Sequence, residues 1–105
     1  MKAKFELGKV IVKDEAAFAL ALAGQDAEFF LAKHAWGDWG EEDERQNEGA
    51  LGQGQMVLSK YHTLRGHEIF VVTFPERRET YLFCPPNSFV KYVPLPDLAI
   101  WRKPG

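Results

Sequence analysis

A chain of 105 residues, 46% of them hydrophobic, has the material for one core and no room for a second domain, so residues 1–105 are read as a single unit. Thirteen Lys and Arg against fifteen Asp and Glu give a formal net charge of -2, which excludes the broad basic field of an ordinary nucleic-acid binder. A single cysteine, Cys84, excludes an internal disulfide, and no apolar run approaches the roughly 18 residues of a membrane span, so the expected setting is the cytoplasm.

The first element expected is a strand within residues 4–13, carried by the β-branched run Val10, Ile11 and Val12, with Gly8 as a bulge. Asp14 then reads as the N-cap of a helix through Ala23, closed by Gly24. The start Lys2 and Lys4 with the later run Ala16 to Gly24 imitates a signal peptide only superficially, because a strand and then Asp14 and Glu15 intervene. Asp26 opens a second helix through His34, and the short break at Gly24 and Gln25 makes the pair a helical hairpin. After the glycine-bracketed turn WGDWG at 36–40, the spacing of Asp38 and Glu41 resembles an acidic capping box. It predicts a polar surface helix from Glu41 to about Ala50, with Glu41 and Arg45 paired one turn apart.

The second half reads as strands. Met56–Thr63, Glu68–Phe74 and Glu79–Cys84 are rich in β-branched and aromatic residues, and the four-residue breaks LRGH and PERR make an antiparallel meander the expected arrangement. Phe89–Val93 has the pattern of one more short strand. Residues 95–105 read as an extended tail whose Leu98, Ile100 and Trp101 cover part of the sheet. The fold class is therefore α+β: an N-terminal strand, a helical hairpin and a short polar helix packed on a C-terminal antiparallel meander.

Candidate binding residues cluster at the seam between the two halves. His34, Trp36, Asp38 and Trp39, followed by Asp43 and Asn47, bring two tryptophans next to an acid and a base, and Ser59 and Tyr61 on the next strand complete the set. The packing alternative outweighs the functional one: Trp36 and Trp39 plug the junction, Asp38 caps, and His34 complements the end of a helix dipole. Arg77 and Arg78 form a candidate basic patch at a hairpin tip.

The run HAWGDWG, with Asp43, Asn47, Leu58-Ser59-Lys60-Tyr61, Val72-Thr73, Arg77, Thr80 and Pro85, resembles a family of small uncharacterised bacterial proteins, often plasmid- or phage-associated. The resemblance covers roughly residues 7–87 and rests most on the GDWG block. It implies an origin in a mobile genetic element and carries no reaction. The chain departs from the pattern at Phe74-Pro75, where an acidic residue usually follows the threonine, and in residues 88–105.

Chemistry-bearing motifs are sparse. No C-x-x-C, H-x-x-x-H or H-E-x-x-H spacing sets two metal ligands on one wall, so neither a metal nor another cofactor is expected. Ser59 has no nucleophile elbow, Cys84 has no neighbouring base, and GALGQGQ at 49–55 lacks the Lys-Ser/Thr of a phosphate loop. The favoured function is a non-enzymatic binding module whose partner is a protein, with nucleic acid less favoured and membrane excluded. The alternative is a small metal-free nucleic-acid-processing enzyme or toxin using His34 or His62 with Arg77 or Arg78.

Overall fold

A computed structural model describes residues 3–42 and 44–85 of the chain. In chain order these form β1 (Lys9–Val12), α1 (Asp14–Ala23), α2 (Ala27–Trp36), α3 (Glu44–Gly52), β2 (Val57–His62), β3 (Glu68–Thr73) and β4 (Glu79–Phe83). The four strands make one sheet in the order β1-β4-β3-β2, so the α+β architecture is as expected. The strand and tail predicted beyond Pro85 lie outside the described residues.

The sheet is mixed rather than antiparallel throughout. β2, β3 and β4 form the meander, whereas β1 runs parallel to β4 with Lys9 opposite Glu79 and Val12 opposite Leu82. A parallel neighbour needs a crossover, and everything from α1 to β3 supplies it. Gly8 is a close approach and not a bulge: its φ is +66°, and a Cβ there would lie 2.4 Å from the Arg77 carbonyl oxygen.

Alternation along the strands sorts the faces. Val57, Ser59 and Tyr61 of β2, Ile69, Val71 and Thr73 of β3, and Thr80 and Leu82 of β4 are buried toward the helices. α1 packs on β4 and α2 on β2 and β3, and Ala16, Ala19, Leu20, Phe30 and Leu31 close the core over the sheet. Fully buried Ile69 and Leu82 each contribute about 1.5–3 kcal/mol through area removed from water.

Helix boundaries differ from expectation at their starts. Lys13, not Asp14, holds the N-cap position of α1, and Asp14 lies inside the first turn, where its charge meets the positive end of the dipole. Gly24 does end the helix, at φ +68°. α2 continues past His34 to Trp36 before Gly37 closes it at φ +96°. α3 begins at Glu44, three residues later than the Asp38/Glu41 spacing predicts. Asp38 instead accepts the Gly40 N–H at 3.4 Å, a turn bond two residues on, and Glu41 pairs with β2 side chains instead of lying on the helix.

Candidate functional site

His34 lies in the last turn of α2 and is fully buried, with its ring against the edge of Phe5, centroids 5.2 Å apart. Its Nδ1 is 2.5 Å from Ser59 Oγ on β2, and its Nε2 is 2.9 Å from Thr73 Oγ1 on β3. Thr73 Oγ1 continues to Thr80 Oγ1 at 2.7 Å, and Thr80 donates to the Leu7 carbonyl at 2.6 Å.

The end of this chain fixes its direction. A carbonyl only accepts, so the Thr80 proton is spent on Leu7; Thr73 must then donate to Thr80, and Thr73 must accept from His34 Nε2–H. Nδ1 is thereby the bare nitrogen and accepts the Ser59 proton, which assigns a neutral Nε2–H tautomer by bond direction. Burial, with the Arg77 charge adding to it, pulls the His34 pKa down to about 3.

A serine donating to a neutral imidazole has the hand-off geometry of an activated nucleophile. Ser59 and His34 are both 0% exposed, however, and both ring nitrogens are engaged by protein. No substrate reaches them. The chemical capacity of the cluster is cohesion: it ties α2, the three meander strands and the segment before β1 into one polar thread inside the core.

The GDWG block sits beside this thread. Trp39 is buried and its indole N–H donates to the His34 carbonyl at 3.0 Å, while Tyr61 Oη donates to the Asp38 carbonyl at 2.5 Å. Burial keeps the Tyr61 phenol protonated by raising its pKa. Gly40 forms a parallel bridge with Lys60 of β2: the Lys60 N–H donates to the Trp39 carbonyl at 3.1 Å, and the Glu41 N–H donates to the Lys60 carbonyl at 3.0 Å. Only glycine fits, since a Cβ at Gly40 would stand 2.0 Å from that carbonyl oxygen.

Asn47, the buried residue of α3, serves the same edge of the sheet. Its Nδ2 donates to the Leu58 carbonyl at 2.7 Å and its Oδ1 accepts the Leu58 N–H at 3.1 Å. Asn47 and the GDWG turn therefore occupy successive outward positions of β2. Of the remaining candidates, Asp38 is exposed with Lys33 Nζ 3.5 Å away, Trp36 is 41% exposed, and Asp43 lies outside the described residues. The structure thus joins His34 to Ser59, and Asp38 to Tyr61 through its backbone, without gathering the set around one cleft.

Arg77 and Arg78 diverge. Arg77, at φ +57°, donates to the Gln55 carbonyl at 2.7 Å with its guanidinium carbon 5.3 Å from the centre of the Phe5 ring, while Arg78 points outward, 4.0 Å from Glu76. His62 belongs to a separate surface group: its Nδ1 is 2.9 Å from Glu41, and Lys60 lies between Glu41 at 3.6 Å and Glu68 at 3.2 Å. Glu68 beside it, with Glu41 adding, raises the Lys60 pKa. Among the described residues no three His, Cys, Asp or Glu side chains converge as metal ligands.

Two features escaped sequence reasoning. Thr73 and Thr80, named in the sequence only as part of the family resemblance, carry the polar thread, and their alternation onto the helix side of the sheet is the signal for that role. On the opposite side, Leu58, Val72, Phe74, Tyr81 and Phe83 line an open apolar concavity of about 480 Å³ with Lys13 and Glu15 at its rim. No family model matches the chain, and no curated protein or solved structure is significantly similar to it. None of the described helices is long and apolar enough to cross a membrane.

Proposed function

We propose that this protein is a non-enzymatic interaction module that binds a protein partner through the outward side of α2, in the service of a mobile genetic element. The observation carrying the reading is the pair Phe29 and Trp36. They stand seven residues apart, two turns along one side of the helix, and are 53% and 41% exposed, while Phe30, Leu31, His34 and Ala35 bury the other side. Lys33 lies between them with its ammonium 5.2 Å from the centre of the Phe29 ring. Large aromatics flanked by a cation are the residue types on which binding energy concentrates. The resemblance of the HAWGDWG block to plasmid- and phage-associated proteins supports the link to a mobile element.

The rival reading, a metal-free nuclease or toxin using His34 or His62 with Arg77 or Arg78, draws less support because His34 is sealed, Arg77 is engaged by the Gln55 carbonyl, and the accessible His62 and Arg78 each stand beside a carboxylate, Glu41 and Glu76. The test is a matched pair of measurements on wild type and the exposed double variant F29A/W36A. A partner co-purified from a bacterial host and rebuilt from purified components, lost in the double variant with its melting curve unchanged, supports the module. Growth arrest and RNA breakdown on induction, retained in the double variant, would replace it with the nuclease.

A further inference from the structure

The two edges of the sheet are treated in opposite ways. On β2, the outward groups of Leu58 are taken by Asn47, and those of Lys60 by Trp39 and Glu41, so another strand cannot pair there without displacing them. Among the described residues β1 has no such guard. Lys9 and Lys13 donate to the carbonyls of Arg78 and Leu82 on the β4 side, and with a period of two Ile11 faces β4 as well. Val10 and Val12 therefore direct their N–H and C=O groups away from the sheet, where no backbone hydrogen bond among the described residues meets them. Val10 is 40% exposed.

We propose that the β1 edge is a strand-addition site for an extended acidic-apolar peptide of a partner protein. This surface is separate from the outward side of α2. Pairing with Val10 and Val12 supplies main-chain hydrogen bonds, the usual source of affinity when a peptide extends a sheet. The flanking charges choose the sequence. Lys9 and Lys13 are exposed, neither is in an ion pair among the described residues, and both share the sheet face of Ile11. Carboxylates on the incoming strand are favoured opposite them, with small apolar residues beside Val10 and Val12. The same lysines oppose a second copy of this chain, because an antiparallel β1 pair centred on Ile11 sets Lys9 against Lys13, and like charges directly opposite are destabilising.

Proline at position 10 separates this idea from a structural role. The Val10 N–H is not used by β4, so Val10→Pro keeps the ladder and removes only an outward donor, the setting in which edge strands accept proline. Two blocked pentapeptides, alternating valine with glutamate or valine with lysine, are titrated to millimolar concentration into the full chain while backbone amide signals are followed. The glutamate peptide should shift Val10 and Val12 and protect their amides from exchange, while the lysine peptide should not. Val10→Pro, with an unchanged melting curve, should weaken binding about tenfold or more, the scale of one or two lost hydrogen bonds. K9E/K13E should reverse the preference between the peptides. Equal binding by Val10→Pro, no charge preference, or Val10 and Val12 amides already protected in the free protein would each overturn the proposal, the last by showing the edge to be filled by the chain itself or a second copy.

Discussion

The side-chain amide of Asn47 stands in for a neighbouring strand at Leu58, making both hydrogen bonds that a paired residue would make, at 2.7 and 3.1 Å. α3 is otherwise a polar helix of nine residues with little apolar surface, and this pair is what ties it to the edge of β2, beside the Lys4–Glu48 ion pair that ties it to the N-terminal segment. Asn47→Ala leaves a part-buried donor and acceptor unmet, and a cost of about 1–3 kcal/mol is expected. Asn47→Asp should cost at least as much, because a carboxylate cannot donate to the Leu58 carbonyl and repels it. Urea denaturation of the two variants checks this; a midpoint for Asn47→Ala equal to wild type would show that α3 is held elsewhere.

The polar thread predicts acid sensitivity with a definite sign. His34 titrates near 6.5 in the unfolded chain and at about 3 in the fold, so between those values the unfolded state binds the extra proton. The contribution of the neutral imidazole is intact above pH 6.5 and is lost as pH falls toward 3, at up to about 1.4 kcal/mol per pH unit. Carboxylates titrate in part of the same window, so the informative quantity is a difference: His34→Gln should be less stable than wild type at pH 7 and lose less stability between pH 6.5 and 4. Parallel stability curves for the two proteins would rule the account out.

Much of the architecture could be read from local pattern. Val10-Ile11-Val12 and the three later strands declare themselves by β-branched and aromatic residues, and Gly24 ends α1 as its placement predicts. What local pattern cannot carry is pairing across distance. Nothing near Lys9 says that it lies beside Glu79, so the parallel β1–β4 pair was out of reach. Asp38 followed by Glu41 has the spacing of an acidic capping box, yet the backbone of this segment is already committed to Lys60, and that tertiary bond delays α3 to Glu44. His34 was legible as unusual, but its partners Ser59 and Thr73 are 25 and 39 residues away.

Within the seam, Trp36 and Trp39 look alike in sequence and differ in role. Trp39 is 3% exposed with its indole N–H spent on the His34 carbonyl, so Trp39→Ala opens a cavity and leaves that carbonyl only the Gly37 N–H at 3.3 Å; a loss of about 3–5 kcal/mol is expected, enough to unfold much of a small domain. Trp36→Ala should change stability by no more than about 0.5 kcal/mol, as exposed substitutions usually do. Thermal melts of the two variants decide the matter, and similar losses in both would mean that α2 carries Trp36 on a buried side.

Two glycines with nearly the same dihedral angle isolate what the GDWG turn requires. Gly24 and Gly40 have φ +68° and +70°, so alanine at either meets the same left-handed penalty of roughly 1–2 kcal/mol. At Gly24 nothing lies within 4 Å of the added carbon, and the penalty ends there. At Gly40 the new Cβ would stand 2.0 Å from the Lys60 carbonyl oxygen and 2.9 Å from the Tyr61 ring, and the first of these neighbours is backbone that cannot swing away. The bridge must open, which costs the two Lys60 hydrogen bonds and uncovers the β2 edge. Gly40→Ala should therefore be the more destabilised variant by about 2 kcal/mol or more, and it should gain a concentration-dependent tendency to associate that Gly24→Ala lacks. Chemical denaturation and sedimentation at two protein concentrations measure both effects. Equal stability of the two variants would mean that the block does not hold β2, and a destabilised Gly40→Ala that stays monomeric would mean that Asn47 alone is enough to guard that edge.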